Sequence, residues 1–512
     1  MDPKEFVSAP WKSSSTHMSY SESFMHMRPA PEYASGEVVL ASLYRNVGFG
    51  KHTSEGRTPK MGRDFEKRLN PYSKKSNRND GVGKIQNDTL YRIITKSLNS
   101  PKLPNQSGKR FLQICPIVPD AALYSLSARL SSNSWNPGKL IATMLNYGFG
   151  DGVDKTRIWK EVYHALSVTK DDDIWARLLQ QELEARRENE LENAWQEPEN
   201  FGKDTPMDML NNLGISCPAT QFCKDLNSVL NVKKQLTRRQ WISMLESLLR
   251  TGSAAHILWI CKINNECLKI FEGALDGAPH ITAEDVTSRF SASTNYWRLG
   301  QPANSTMKDI ARGFLAGRAG INLMLLHCEA KNLLNYSSMQ TPKEIAELAN
   351  NLSKIKDVFP IDDYRSDLNE AIENDASIMA CKKGISSNIV EFISHVLRQR
   401  QTSETGMESY DQGYLIKKKG THNNAPWVVG FGPVALLTMV HNCTATSNGP
   451  RTVQDLCDHI SKYGYEMNAQ DIPDSEVGAS LRNLGLVIDS PDAEGGMVLD
   501  SPFSVQENTE VA

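Results

Sequence analysis

The residues of this chain best suited to chemistry are the basic ones between Lys51 and Arg110. This stretch holds 15 Lys and Arg against 5 Asp and Glu. Basic side chains bind phosphate oxygens, and a stretch with few large apolar residues cannot bury enough surface to offset its ordering entropy. We therefore expect residues 1–110 to form a flexible basic N-terminal arm that contacts nucleic acid or an acidic partner. The residues expected to make these contacts are Lys51, Arg57, Lys60, Arg63, Lys67, Arg68, Lys74, Lys75 and Arg78.

A second basic group lies between Arg289 and Arg318, where five Arg and Lys are interleaved with aromatic residues. Arginine and aromatic side chains together can bind phosphate and stack on bases. The alternative is that Trp297 and Phe314 belong to the core while the arginines pair with local acids such as Asp309, and the pattern favours this alternative. The nucleic-acid-binding candidates kept from this group are Arg298, Arg312 and Arg318.

The motifs that mark common enzymes and metal sites are absent from the sequence. The stretch Asp80–Lys84 looks like part of a phosphate loop, but Ile85 stands where Ser or Thr would bind magnesium. The 11 histidines form no HExxH or HxH pair, and the 9 cysteines form no CxxC pair. We expect no catalytic residue, metal, cofactor or small-molecule substrate. We expect the cysteines to be reduced thiols. An enzyme whose motifs are dispersed remains an alternative.

Composition sets the class of the protein. Of its residues, 39% are hydrophobic and 23% are charged, which is typical of a soluble globular protein. Its length of 512 residues predicts two to four domains. No apolar run reaches the roughly 18 residues that a membrane span requires. The N-terminus lacks a basic start followed by an apolar stretch, so a secretory signal is not expected. We therefore expect a cytoplasmic protein.

Apolar periodicity predicts a mainly α fold, with a multi-helix bundle or short solenoid as its body. We divide the chain into the arm, a helical subdomain at 111–196, a helical body at 207–400, a β-hairpin and C-terminal domain at 413–503, and a tail at 504–512. Capping boxes at Thr237 and Thr341 begin two helices of the body. Gly252 is expected to end the first of these, Arg238–Arg250, before a second helix at Ser253–Leu275. Within the arm, Val38–Tyr44 is expected to be a small docked element and Thr89–Leu98 a short helix.

The C-terminal stretch from Phe431 to Phe503 predicts three helices and then two β runs joined by an acidic, Gly-rich loop. This order resembles the winged helix-turn-helix, and the run Leu481–Ile488 is similar to the passage from third helix into wing. The resemblance covers about 70 residues, and a fold of this kind carries no function by itself.

The charge of this stretch decides which partner it favours. It holds 3 Lys and Arg against 10 Asp and Glu. A helix that enters a DNA groove normally has basic neighbours, whereas the predicted third helix offers Asp474 and Glu476 against a single Arg482. We therefore interpret these three residues as a protein-interaction site.

Together these patterns predict a non-catalytic adaptor or scaffold subunit of a nucleic-acid-processing complex. Its basic arm would contact nucleic acid and its acidic C-terminal domain another protein subunit, and no membrane partner is expected. By analogy alone, bacterial restriction or antiviral phage-defence complexes contain such parts. The alternative is a transcription regulator that binds DNA directly, which requires the Arg289–Arg318 group and the arm to share one face.

Overall fold

The computed structural model of the chain is mostly helical. It describes residues 2–10, 13–27, 34–49, 87–98, 100, 114–124, 137–149, 155–185, 195–197, 214–291, 295–334, 338–373, 385–400, 411–420, 422, 424–445, 449–488 and 497–503. The helices are α1 (Pro3–Ser8), α2 (Met18–Ser21), α3 (Gly36–Gly48), α4 (Asn87–Leu98), α5 (Pro137–Gly148), α6 (Lys155–Leu166), α7 (Ile174–Glu184), α8 (Pro218–Asn231), α9 (Arg238–Leu275), α10 (Ala283–Ser291), α11 (Asn304–Ala330), α12 (Pro342–Ile355), α13 (Ile361–Glu373), α14 (Ile385–Leu397), α15 (Pro433–Ala445), α16 (Val453–Ser461) and α17 (Glu476–Asn483).

The centre of the molecule is α9, a single helix of 38 residues that begins at the predicted Thr237 capping box. The prediction that Gly252 ends a helix is wrong, because α9 continues through it. A Cβ atom at Gly252 would lie 2.4 Å from the Phe222 ring of α8. The glycine is therefore required by close packing between two helices, and not by a helix end.

One hydrophobic cluster runs through the described parts of all the predicted domains. Helices α3, α8, α11, α12, α14 and α15 contact α9, and their buried apolar side chains form a continuous core. The predicted parts at 111–196, 207–400 and 413–503 all contribute residues to this cluster, and elements of each part pack on α9.

The prediction of a flexible arm over residues 1–110 is wrong for the described part of residues 2–49. Phe6, Tyr20 and Phe24 are at most 1% exposed and belong to the main core. The docked element predicted at Val38–Tyr44 lies within α3, which is almost wholly buried. The physical reason is that residues 2–49, unlike the stretch that begins at Lys51, are rich in apolar side chains, and these join the same core cluster as α9 and α11. The nine basic residues from Lys51 to Arg78 lie outside the described residues.

The short helix predicted at Thr89–Leu98 is confirmed as α4. Its residues Ile94 and Leu98 are buried in a second, smaller cluster, with Val118 and with Leu179 of α7. Ile93, one residue before Ile94, is 38% exposed. The α4 helix therefore docks on the body through one narrow apolar stripe.

The strands are short and lie around the C-terminal part of the chain. They are β1 (Trp297–Arg298), β2 (Ile416–Lys418), β3 (Trp427–Val429), β4 (Arg451–Thr452), β5 (Tyr465–Glu466), β6 (Val487–Ile488) and β7 (Val498–Leu499). β1 pairs with β5 in parallel, β2 with β3 antiparallel, and β4, β7 and β6 form an antiparallel sheet in that order.

A buried polar network fastens the C-terminal part to α8. Asp225 Oδ2 accepts a hydrogen bond from Tyr463 at 2.6 Å and lies 2.9 Å from His459 Nε2. Gln221 donates to the other carboxylate oxygen of Asp225 at 2.7 Å. Because a buried carboxylate is costly without partners, this network fixes where α16 sits on the body.

The buried imidazole of His256, in α9, predicts an acid-sensitive stability. It stacks on Trp259, and its burial lowers the pKa of His256 to about 3. The unfolded chain takes up this proton below about pH 6.5, so the unfolded state binds more protons between about pH 6.5 and 3. Stability therefore falls as the pH is lowered through this window.

Between pH 7.5 and pH 5, the free energy of unfolding of the wild-type chain should fall by about 2 kcal/mol more than that of His256→Leu. Urea titrations at the two pH values measure it, with the exposed His422 replaced by Leu as the matched control. An unchanged pH dependence in His256→Leu would contradict the assignment.

Candidate nucleic-acid interface

The β-hairpin predicted at the start of the stretch 413–503 is confirmed as β2 and β3, and neighbouring segments hold it on both sides. Gln399 N–H donates to Ile416 at 2.7 Å beside β2, and Ala303 N–H donates to Trp427 at 3.1 Å beside β3. Because both edges of the hairpin are hydrogen-bonded to neighbouring segments, its backbone is held in place and positions the side chains that it carries.

Two cations lie against the ring of Trp427 at this surface. Lys418 is directly opposite Trp427 in the register of the hairpin, and its Nζ is 5.7 Å from the ring centroid. The Arg398 guanidinium, from the segment after α14, has its Cζ 5.4 Å from the same centroid. Trp427, Arg398 and Lys418 are all half-buried. We call these three residues the Trp427 platform.

The chemistry of the Trp427 platform suits a phosphate beside an aromatic base. Each cation–π pair stabilises the arrangement by about 0.5–1 kcal/mol, which orders the two cations. Ordered cations about 5–6 Å from one ring can receive phosphate oxygens, and a base can stack on the part of the ring face that the cations leave uncovered. The adjacent Lys419 is exposed at the hairpin turn and adds positive charge.

The structure separates the three arginines predicted between 289 and 318. Arg298 is exposed on β1, just before the segment that borders β3. Arg312 is exposed on α11 and is 4.0 Å from Asp309, as the alternative interpretation expected. That interpretation is confirmed for Trp297 and Phe314, which are at most 2% exposed.

The prediction that Arg318 contacts nucleic acid is wrong. Its side chain is 1% exposed, stands over the ring of Tyr20 at 5.5 Å, and donates to Thr16 Oγ1 at 3.1 Å. Burial lowers the pKa of Arg318. Because Pro10, Thr16 and Tyr20 contact the buried guanidinium, it holds the N-terminal segment on α11 and cannot reach solvent phosphate.

The predicted protein-interaction residues lie together around α17. Asp474 and Glu476 are exposed, and Glu476 forms an ion pair with Lys417 of β2. Arg482 is also exposed, but its guanidinium donates to the Pro473 carbonyl at 2.8 Å. Arg482 therefore remains an exposed cation beside the two acids, and one of these acids is already paired with Lys417.

Sequence reasoning missed Trp427 and Arg398 as site residues. The pairing of Lys418 with Trp427 could have been found by counting back from the predicted hairpin turn. Arg398 carries no such signal, because it reaches the platform through a parallel bridge between residues 398 and 416.

In the part of the chain that the structure describes, no helix is long and apolar enough to cross a membrane. Within the same residues, no group of three or more His, Cys, Asp or Glu side chains could hold a metal ion. Eight cysteines are described there, and all are buried free thiols. No protein-family model matches the chain, and no curated protein is significantly similar to it.

Proposed function

We propose that this protein is a nucleic-acid-binding scaffold subunit, in which the Trp427 platform contacts phosphate and base. The observation that carries the proposal is the pair of cations held within 6 Å of one half-buried indole on a braced hairpin. The basic stretch from Lys51 to Arg110 would add sequence-independent affinity for the same polyanion.

The scaffold part of the proposal is supported by the shared core. A single body organised along α9 holds the hairpin and the C-terminal elements in fixed relation. The order α15, β4, α16, β5, α17, β6, β7 and the sheet order β4–β7–β6 fit the winged-helix interpretation of residues 431–503. The 10 Asp and Glu against 3 Lys and Arg in residues 431–503 favour a basic protein surface over DNA as the partner of this unit.

The alternative, a transcription regulator that binds duplex DNA directly, has less support. It depends on the arginines between 289 and 318 acting as one face, whereas Arg318 is buried and Arg312 lies beside Asp309. Single-stranded nucleic acid fits the Trp427 platform better, because stacking on an aromatic ring requires an unpaired base.

The test is fluorescence anisotropy of a labelled 20-nucleotide oligo-dT, an oligo-U of the same length and a 20-base-pair duplex. We expect Trp427→Leu to weaken binding of the single strands by about 1–3 kcal/mol, at least fivefold in Kd. Arg398→Gln and Lys418→Gln are each expected to lower the slope of log K against log salt by about 0.7.

The control is Lys343→Gln, which removes an exposed lysine on α12 and should leave both Kd and slope unchanged. Absence of binding by the wild-type chain at 50 mM salt would overturn the proposed function. If none of the three platform variants changes binding, the Trp427 platform is not the binding site, and the stretch from Lys51 to Arg110 becomes the proposed contact.

A further inference from the structure

The backbone of Arg398 is held at the Trp427 platform by two elements. Arg398 directly follows α14, and its N–H donates to the Ser394 carbonyl at 3.1 Å, which continues the helical turn. A parallel bridge joins the same residue to Ile416 of β2. The position from which the Arg398 side chain starts is therefore fixed relative to both the helix and the hairpin.

A buried arginine of α9 supports this end of α14. The Arg250 guanidinium donates to the carbonyl of Val396 at 2.6 Å and to the carbonyl of Arg398 at 3.1 Å. It also forms an ion pair of 2.7 Å with Asp411, which is buried as well. Because the last carbonyls of a helix have no partner within the helix, these bonds keep the Arg398 backbone from fraying.

The side chain of Arg398 contacts His395 as well as Trp427. Its Nη2 is 3.5 Å from Nε2 of His395, which lies three residues earlier on the same helix and is buried. A guanidinium only donates hydrogen bonds, so Nε2 of His395 must accept this one. The imidazole is then neutral and carries its proton on Nδ1. The contact restricts the rotation of the guanidinium that meets the indole.

The surroundings of His395 favour this neutral ring. Burial lowers the pKa of His395 to about 4, and the charges of Arg398 and Arg400 act in the same direction. Glu391, one turn earlier on α14, lies 3.5 Å from the same Nε2 and opposes them. A protonated ring would donate to Glu391 and repel Arg398, so only the neutral ring can accept from the guanidinium.

We infer that His395 is a positioning residue of the nucleic-acid site, whose neutral ring holds the Arg398 guanidinium where it meets phosphate beside Trp427. This inference rests on the proposed function, since it concerns the same platform. His395 is 8% exposed and acts through Arg398. A cation that is ordered before the ligand arrives loses less side-chain entropy on binding, so the contact raises affinity.

The test is a double-mutant cycle on the Kd for the same labelled oligo-dT. We expect His395→Leu to raise Kd about fivefold in the wild-type chain and less than about twofold when Arg398 is already Gln. His395→Gln, whose side-chain oxygen can accept from a guanidinium, should stay within about twofold of the wild-type Kd. The control is His280→Leu, which removes an exposed imidazole elsewhere and should leave Kd unchanged.

A second measurement does not depend on ligand binding. NMR titration of the imidazole carbons, assigned with His395→Gln, should show that Arg398→Gln raises the pKa of His395, because a neighbouring cation is removed. Arg312→Gln, which removes an exposed arginine of α11, should leave it unchanged. Circular dichroism checks that each variant is folded. If His395→Leu is not folded, the titration decides, since it does not use this variant.

Three outcomes would overturn the inference. They are an unchanged Kd in folded His395→Leu, equal weakening by this variant with and without Arg398, and a pKa of His395 that Arg398→Gln leaves unchanged. Each leaves the proposed function standing as long as Trp427→Leu weakens binding. A wild-type chain that binds no oligo-dT would instead overturn the proposed function, and the inference with it.

Discussion

Deleting residues 1–50 is expected to leave a chain that does not fold. Phe6, Tyr20, Phe24, Leu40 and Tyr44 are at most 1% exposed, and burial of a large apolar side chain contributes about 1.5–3 kcal/mol. Five such side chains contribute roughly 10 kcal/mol, which equals the whole free energy of unfolding of a typical domain. Circular dichroism at 222 nm should show that most of the helical signal and the cooperative thermal transition are lost.

Single substitutions in the same segment separate this effect from the length of the deletion. Phe24→Ala should lower the free energy of unfolding by about 3–5 kcal/mol, because its ring packs on Phe290 at 6.0 Å between centroids. Met18→Ala, at a side chain 55% exposed in α2, should change it by less than about 0.5 kcal/mol. A truncated chain that keeps its cooperative transition would show that the segment is dispensable.

Replacing Arg238 by Met is expected to lower the free energy of unfolding by about 3–5 kcal/mol. The guanidinium is buried at the start of α9, where it lies 3.2 Å from Asp172 and donates to the carbonyl of Ile117 at 3.0 Å and to Tyr44 Oη at 3.0 Å. It also donates to the carbonyls of Ala165, Leu166 and Ser167 at the end of α6. Without it, several buried carbonyls lose a donor, and the buried Asp172 carboxylate keeps Lys233 but loses its second cation.

The adjacent residue provides the control for this prediction. Arg239 is exposed on the same turn of α9, so Arg239→Met removes the same charge and should change stability by less than about 0.5 kcal/mol. Urea titrations followed by tryptophan fluorescence compare the two variants. Equal losses in both would mean that Arg238 does not hold α3, α6 and α9 together.

Much of the secondary structure follows from local signals in the sequence. Thr237 and Thr341 begin helices because their hydroxyls accept from backbone N–H groups three residues on, and both capping boxes form as predicted. The hairpin of β2 and β3 likewise follows from alternation and a polar turn. These features depend on residues within a few positions of one another, so they can be predicted without knowing the fold.

Features that depend on distant partners could not be predicted in this way. Gly252 has the sequence signature of a helix end, yet its neighbour across the interface is Phe222. Arg318 is an arginine among aromatic residues, as expected of a phosphate ligand. In the structure, however, Tyr20 and Thr16 from near the N-terminus cover it. The charge of a residue is written in the sequence, but its exposure is set by what packs over it.

The sequence by itself determined the helical class of this protein, its helix starts and the opposite charges of its two ends, because propensity, capping and charge are local properties. Only the tertiary structure decided that the described part of residues 2–49 joins the core, that Arg398 meets Trp427, and that residues of α3 and α15 line one cavity along α9. Each of these is a contact between residues far apart in the chain, which forms because burying their common surface offsets the entropy of bringing them together.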